Sequence, residues 1–173
     1  MAITEAIDKA KMALDIGWDG NFPIDPVAVA SEILMVSRDD GEELPIIMEA
    51  ESLDLESGYA EFVYGDEAFG DHFRCVYNIH EAATRQRFTQ AHELGHVMLG
   101  HVYEGSSPRR DARFDGSIDY KERDANIFSA ELLMPEKYVR HQASRITDIN
   151  TLARFFGVSP WAVKIRLERL GIL

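Results

Sequence analysis

From Arg87 to His101 the chain reads Arg-Phe-Thr-Gln-Ala-His-Glu-Leu-Gly-His-Val-Met-Leu-Gly-His, and inside it His92, Glu93 and His96 have the spacing His-Glu-x-x-His. No other feature limits the fold as much. Residues four apart lie on one face of an α-helix, about one turn from each other. Two imidazoles so placed can hold one Zn²⁺, and the glutamate between them stands close enough to polarise a water. The chain must therefore form a helix here. A second element must then bring up whatever completes the site.

A catalytic zinc usually takes three protein ligands and leaves a position open to water. A third histidine six residues past His96 would fall on Val102, and the glycine that accompanies that pattern would fall on Leu99. His101 is one residue out of register. The remaining option is a carboxylate on a later helix, and Glu122, in Glu-Arg-Asp-Ala-Asn126, fits it. Asp124 is the rival, but it points about 200° around the helix from Glu122. Asn126 lies one turn beyond Glu122 on the same face, where it can hydrogen-bond a ligand imidazole and fix its tautomer. Gly95 lets another helix approach closely, at a structural cost of about 1 kcal/mol relative to alanine. A structural zinc is disfavoured, because such sites usually take four ligands rich in cysteine. His72, His80 and His141 have no partner spacing and read as ordinary loop or surface residues. Cys75 reads as a small core residue.

The chemistry that follows is hydrolysis of a peptide bond. Glu93 acts as the base toward a water and passes its proton to the leaving amine. A second donor to the carbonyl oxygen is expected, with Tyr103, Arg113 and Tyr120 as candidates. The strand before the motif helix, residues 74–79, offers an edge to an extended substrate.

The rest of the sequence sets the frame. A chain of 173 residues suits one domain, or one with a small appendage. No apolar run approaches the ~20 residues of a membrane span. The first residues read as an amphipathic helix and not as a leader, and the single cysteine excludes an intramolecular disulfide framework. Together these point to the cytoplasm. The net charge of −12 argues against nucleic-acid binding by the surface as a whole. It is uneven: Asp39 to Phe73 holds twelve acidic residues and no Lys or Arg, whereas residues 137–173 hold seven basic and two acidic. The acidic block reads first as a solvated face and second as an attraction for a basic partner.

Helical spacing predicts helices over 3–17, after Asp25, over about 84–99, from about 119 to before Pro135, and as a final pair around 151–156 and 159–170. Runs rich in Ile, Val, Tyr and Phe predict strands over 44–50, 58–64 and 73–79. Their closeness suits antiparallel hairpins. Phe156-Gly-Val-Ser159 between two helices has the look of a helix-turn-helix, with Lys164, Arg166 and Arg169 within reach of phosphate. Its basic surface is small for that task, so a helical pair packed on the catalytic domain is the preferred reading.

The run Arg87 to His96, then Glu122-Arg-Asp-Ala-Asn-Ile-Phe-Ser-Ala-Glu-Leu-Leu-Met-Pro135, strongly resembles the ImmA/IrrE family of zinc metallopeptidases, and Leu152 to Gly171 is similar to that family's closing segment. Ser129 replaces a common alanine, a change without expected chemical consequence. The resemblance implies an α+β, zincin-like metallopeptidase with a small antiparallel sheet, two ligand-bearing helices and a C-terminal helical pair. Residues 1–136 would form the peptidase domain and 137–173 the helical segment packed on it. His92, His96 and Glu122 would bind Zn²⁺, with Glu93 catalytic. The implied partner is a helix-turn-helix repressor, cleaved to relieve repression in a stress, prophage or mobile-element response. Nucleic acid and membrane are not expected partners. The alternative is a catalytically silent zinc-binding partner in a toxin-antitoxin or DNA-binding regulatory complex.

Overall fold

The computed structural model describes residues 2–110 and 119–173, without the side chains of Ala2, Arg109 and Arg110. In chain order these form α1 (Ala2–Gly17), α2 (Pro26–Ser31), β1 (Leu34–Val36), β2 (Glu43–Glu51), β3 (Gly58–Asp66), β4 (Gly70–Asn78), α3 (Ala83–Met98), β5 (Arg109–Arg110), α4 (Tyr120–Leu133), α5 (Glu136–Ala143), α6 (Ile149–Phe156) and α7 (Pro160–Arg169). The architecture is α+β.

The sheet has the order β1-β2-β4-β3-β5. It is mixed, which corrects the expected antiparallel arrangement. β3 and β4 do form an antiparallel hairpin, but β2 pairs with β4 in parallel, Ile46 facing Phe73 through Glu51 facing Asn78. A parallel pair needs a crossover of a dozen or more residues. Here β3 and its flanking turns supply it, because the chain lays β3 down one place further out and returns with β4 into the gap. β4 is therefore an interior strand. The edge expected of residues 74–79 belongs instead to β3, and β5 already pairs with it at Tyr59 and Ala60. On β4, Arg74 gathers part of the acidic block: Glu49 at 2.7 Å, Glu61 at 2.9 Å and Glu51 all pair with its guanidinium.

Helices cover the sheet on its buried side. α3 packs against β3, β4 and α4, and α1 packs against α4. The residues that α1 buries are mostly small, Ala6, Ala10, Ala13 and Leu14, and small side chains let helices approach closely. Ile3, in its first turn, is half exposed. The core joins these helices to Leu94, Val97, Phe128 and Leu132 and continues into the tail through Leu152, Phe156, Val163 and Leu167.

The tail holds three helices where two were expected. α5 is short and polar, and Val139 is the one residue it buries, so its periodicity is weak. α6 and α7 start on the side-chain caps Asp148 and Ser159, and Gly157 between them has φ +67°, a value that favours glycine. Arg87 of α3 donates to the Gly157 carbonyl at 2.6 Å. Arg166 of α7 is buried, donates from Nε to the Met134 carbonyl at 3.1 Å, and forms a buried ion pair with Glu131 of α4. Among the described residues no helix is long and apolar enough to cross a membrane.

Candidate metal centre

Two helix ends set the site. α3 closes with Gly100 at φ +71°, where Gly100 N–H donates to the Val97 carbonyl at 3.0 Å and His101 N–H to the His96 carbonyl at 2.9 Å. This pair of bonds is a Schellman turn, which folds the chain back over the last helical turn. It brings the His101 ring to the His96 ring, Nδ1 to Nδ1 at 2.8 Å. α4 opens on Asp119, whose carboxylate accepts from Lys121 N–H at 2.9 Å and Glu122 N–H at 3.3 Å. The cap orders the turn that carries Glu122.

The two helices meet at Gly95. A Cβ there would stand 2.9 Å from Cδ1 of Phe128, so the glycine is what admits α4. The structure accordingly brings His92, His96 and Glu122 together. His92 Nε2 lies 3.0 Å from Glu122 Oε2, His96 Nε2 lies 3.1 Å from Glu122 Oε1, and the two Nε2 atoms are 3.0 Å apart. Tetrahedral bonds of about 2.0–2.1 Å put neighbouring donor atoms about 3.3 Å apart, so the spacing suits one small divalent cation.

Tautomers point the same way. Asn126 Oδ1 lies 3.1 Å from His92 Nδ1. A carbonyl oxygen only accepts, so Nδ1 carries the proton and Nε2 turns its lone pair to the site. If His96 likewise donates from Nδ1 to His101, its Nε2 turns a lone pair inward as well. Lone pairs of two rings and a carboxylate then converge, a donor set that a cation satisfies. Burial would raise the Glu122 pKa, but where the two rings carry protons on Nε2 as well, their hydrogen bonds and charge outweigh it and hold the carboxyl well below the usual range.

Glu93 is buried beside the candidate ligands, and a Cβ on Gly58 would come within 3.4 Å of its Oε1. Its carboxylate thus rests against the start of β3. Burial, with the Glu93 charge nearby, pushes the Cys75 thiol up, which leaves it an inert core residue. His92, Glu93 and Glu122 line one open cleft of about 640 Å³ between α3, α4 and α7.

Other expected residues lie elsewhere. Asp124 is turned to Arg123, at 2.8 Å. Tyr103 and Tyr120 are exposed, stack under Arg38 and Arg123, and do not line the cleft. Arg113 is outside the described residues. Ser129 is fully buried and donates back to the Ala125 carbonyl at 2.7 Å. His80 and His141 are exposed, but His72 is buried on β4, a correction to its reading as a surface residue. Sequence reasoning missed His101 as the partner of His96. Its place two residues after Leu99, just past a helix-ending glycine, was the available signal.

The sequence profile of Peptidase_M78, described as an IrrE N-terminal-like domain, matches residues 52–168. The chain therefore belongs to this family of metallopeptidases, in agreement with the ImmA/IrrE resemblance. No curated protein sequence matches it. Among solved structures it is similar to a Mycobacterium tuberculosis transcriptional regulator, with a TM-score of 0.54 and 15% identity. That match covers 97% of this chain and 52% of the regulator, so the chain spans about half of the structure it resembles, and the likeness is one of fold.

Proposed function

We propose that the chain is a zinc-dependent endopeptidase with a zincin-like fold, which cleaves a helix-turn-helix transcriptional repressor and so relieves repression. One observation carries the enzymatic part: two imidazole nitrogens and a carboxylate converge at 3.0–3.1 Å, and two of these groups, His92 and Glu122, line an open cleft with buried Glu93. When bound there, Zn²⁺ supplies Lewis acidity to a carbonyl oxygen and to a water. In this reading residues 1–136 form the peptidase domain and 137–173 a helical segment packed on it, acting in the cytoplasm.

The chain's own residues do the rest. Glu93 takes a proton from the water as its oxygen forms a bond to the carbonyl carbon. It returns that proton to the amide nitrogen as the C–N bond breaks, leaving a carboxylic acid, which gives its proton to solvent, and an amine. Asn126 and His101 hold the two ligand rings in the required tautomer. Zinc is supported by the family resemblance together with a donor set, two imidazoles and a carboxylate, that suits it. The repressor target follows from the family resemblance.

The test is incubation of the zinc-loaded protein, and of Glu93→Gln, with the helix-turn-helix regulator encoded beside it. Cleavage by the first and not by the second, at equal zinc content, is expected. If both leave the regulator intact at full zinc occupancy, this substrate is refuted and the silent zinc-binding partner takes its place. If both cleave it, Glu93 is not the base.

A further inference from the structure

Trp161, Ile165 and Arg169 of α7 recur every fourth residue, so they form one stripe about 12 Å long on the helix surface. All three line the cleft that holds His92, Glu93 and Glu122. Trp161 is 67% exposed, with Lys164 Nζ 5.7 Å from its ring centroid, and lines the same cleft as the candidate catalytic group. Such rings are the usual anchors of recognition surfaces. Arg169 is exposed too, and forms no ion pair among the described residues, whereas Arg166 of the same helix is paired with Glu131. On the facing wall α3 presents Phe88 and Arg85.

This wall is held firmly. Val163 and Leu167, on the opposite side of α7, are buried, and Arg166, which also lines the cleft, is tied to Glu131. The stripe is therefore presented by a fixed helix, which favours recognition over loose closure. Its charge is also informative. In a chain of net charge −12, a bound divalent ion would offset Glu93 and Glu122 at the ligand end of the cleft, Arg85 is paired with Glu81 at 3.3 Å, and Arg169 leaves its positive charge on the α7 wall. An extended peptide covers 12 Å with about four residues.

We propose that α7 is the specificity wall of the cleft. Trp161 and Ile165, with Phe88 opposite, seat a large apolar side chain of an extended peptide. Arg169 seats an acidic side chain within about four residues of it. The occupant rests on the peptidase reading, and the experiment separates the two claims.

The chain has two tryptophans, so Trp18→Phe leaves Trp161 as the sole reporter. In zinc-loaded Trp18→Phe/Glu93→Gln, Trp161 emission is titrated with synthetic ten-residue peptides in which a Phe and a Glu are walked along the chain, and with the same set carrying Lys in place of Glu. A blue shift and binding tighter by tenfold or more are expected for a subset of the Glu peptides. Adding Arg169→Glu should invert that preference, and Trp161→Ala in the Glu93 protein should cleave the Phe peptides no faster than the same peptides with Ala in place of Phe. No response of Trp161 to any peptide, or a Glu/Lys ratio unchanged by Arg169→Glu, overturns the proposal. Cleavage with that unchanged ratio refutes the wall and keeps the peptidase. Binding with inversion, but no cleavage by any Glu93 protein, keeps the wall and refutes the peptidase.

Discussion

Asn126 and Glu122 of α4 clasp opposite nitrogens of the same His92 ring, at 3.1 Å from Nδ1 and 3.0 Å from Nε2. One face of one helix thus supplies both a candidate ligand and the group that aims its neighbour. Asn126→Ala removes the aiming group alone. Metal affinity should fall about 10- to 100-fold, the usual cost of losing such a partner. Competition with a chromophoric chelator measures it. His101→Leu should act likewise through His96, and unchanged affinity in both would show that the rings are oriented by packing alone.

Gly95 is a second point of control. Alanine there gains about 1 kcal/mol of helix propensity. It also places a Cβ 2.9 Å from the Phe128 ring, and overpacking of this kind costs about 1–3 kcal/mol. Gly95→Ala should therefore show no gain in stability in urea denaturation, and should bind metal more weakly because α3 and α4 are pushed apart. A more stable protein with normal metal affinity would disprove the close approach.

The Arg166–Glu131 pair is buried on both sides. Arg166→Met strands the Glu131 carboxylate, at a cost of about 3–5 kcal/mol. Replacing both, with Glu131→Leu, should recover most of the loss, since a buried pair can often be exchanged for apolar groups. Equal losses in single and double variants would mean that the cost lies in packing and not in the unpaired charge.

Asp148 supplies a pH test. Its carboxylate accepts from the Thr151 hydroxyl at 2.6 Å and from the Thr151 N–H at 2.7 Å, which lowers its pKa from the ordinary 3.8. A lowered folded pKa gives stability that is present above the unfolded value and is lost as pH falls through the folded one. Asp148→Ala should lower Tm at pH 7, and the gap from wild type should narrow below about pH 4. Thermal melts along that series check it; a gap independent of pH would exclude the charged cap. Asp148→Asn, which keeps a capping oxygen, should lose less.

The site is easier to read from sequence than the sheet. Helical periodicity ties residues that are near in the chain, so His92 and His96, like Glu122 and Asn126, fall on one face by spacing alone. Register then excludes Val102 and leaves Glu122. Strand pairing depends on long-range contacts, and nothing local in residues 44–79 says that β4 inserts between β2 and β3. Short elements fail for a related reason: β1 has three residues and α5 buries one side chain, so neither carries a full period. The α7 wall is invisible in sequence because Trp161 and Arg169 acquire meaning only from α3 and α4 across the cleft.

α7 also divides its labour by angle. Val163, Arg166 and Leu167 face inward, while Trp161 and Arg169 face outward. Exchange of the outward residues disturbs neither the core nor the ligand helices, so it should cost little stability. In the proposed reading of the cleft, the same scaffold can therefore be retuned to a new peptide sequence by surface substitutions alone, without refolding the protein that carries them.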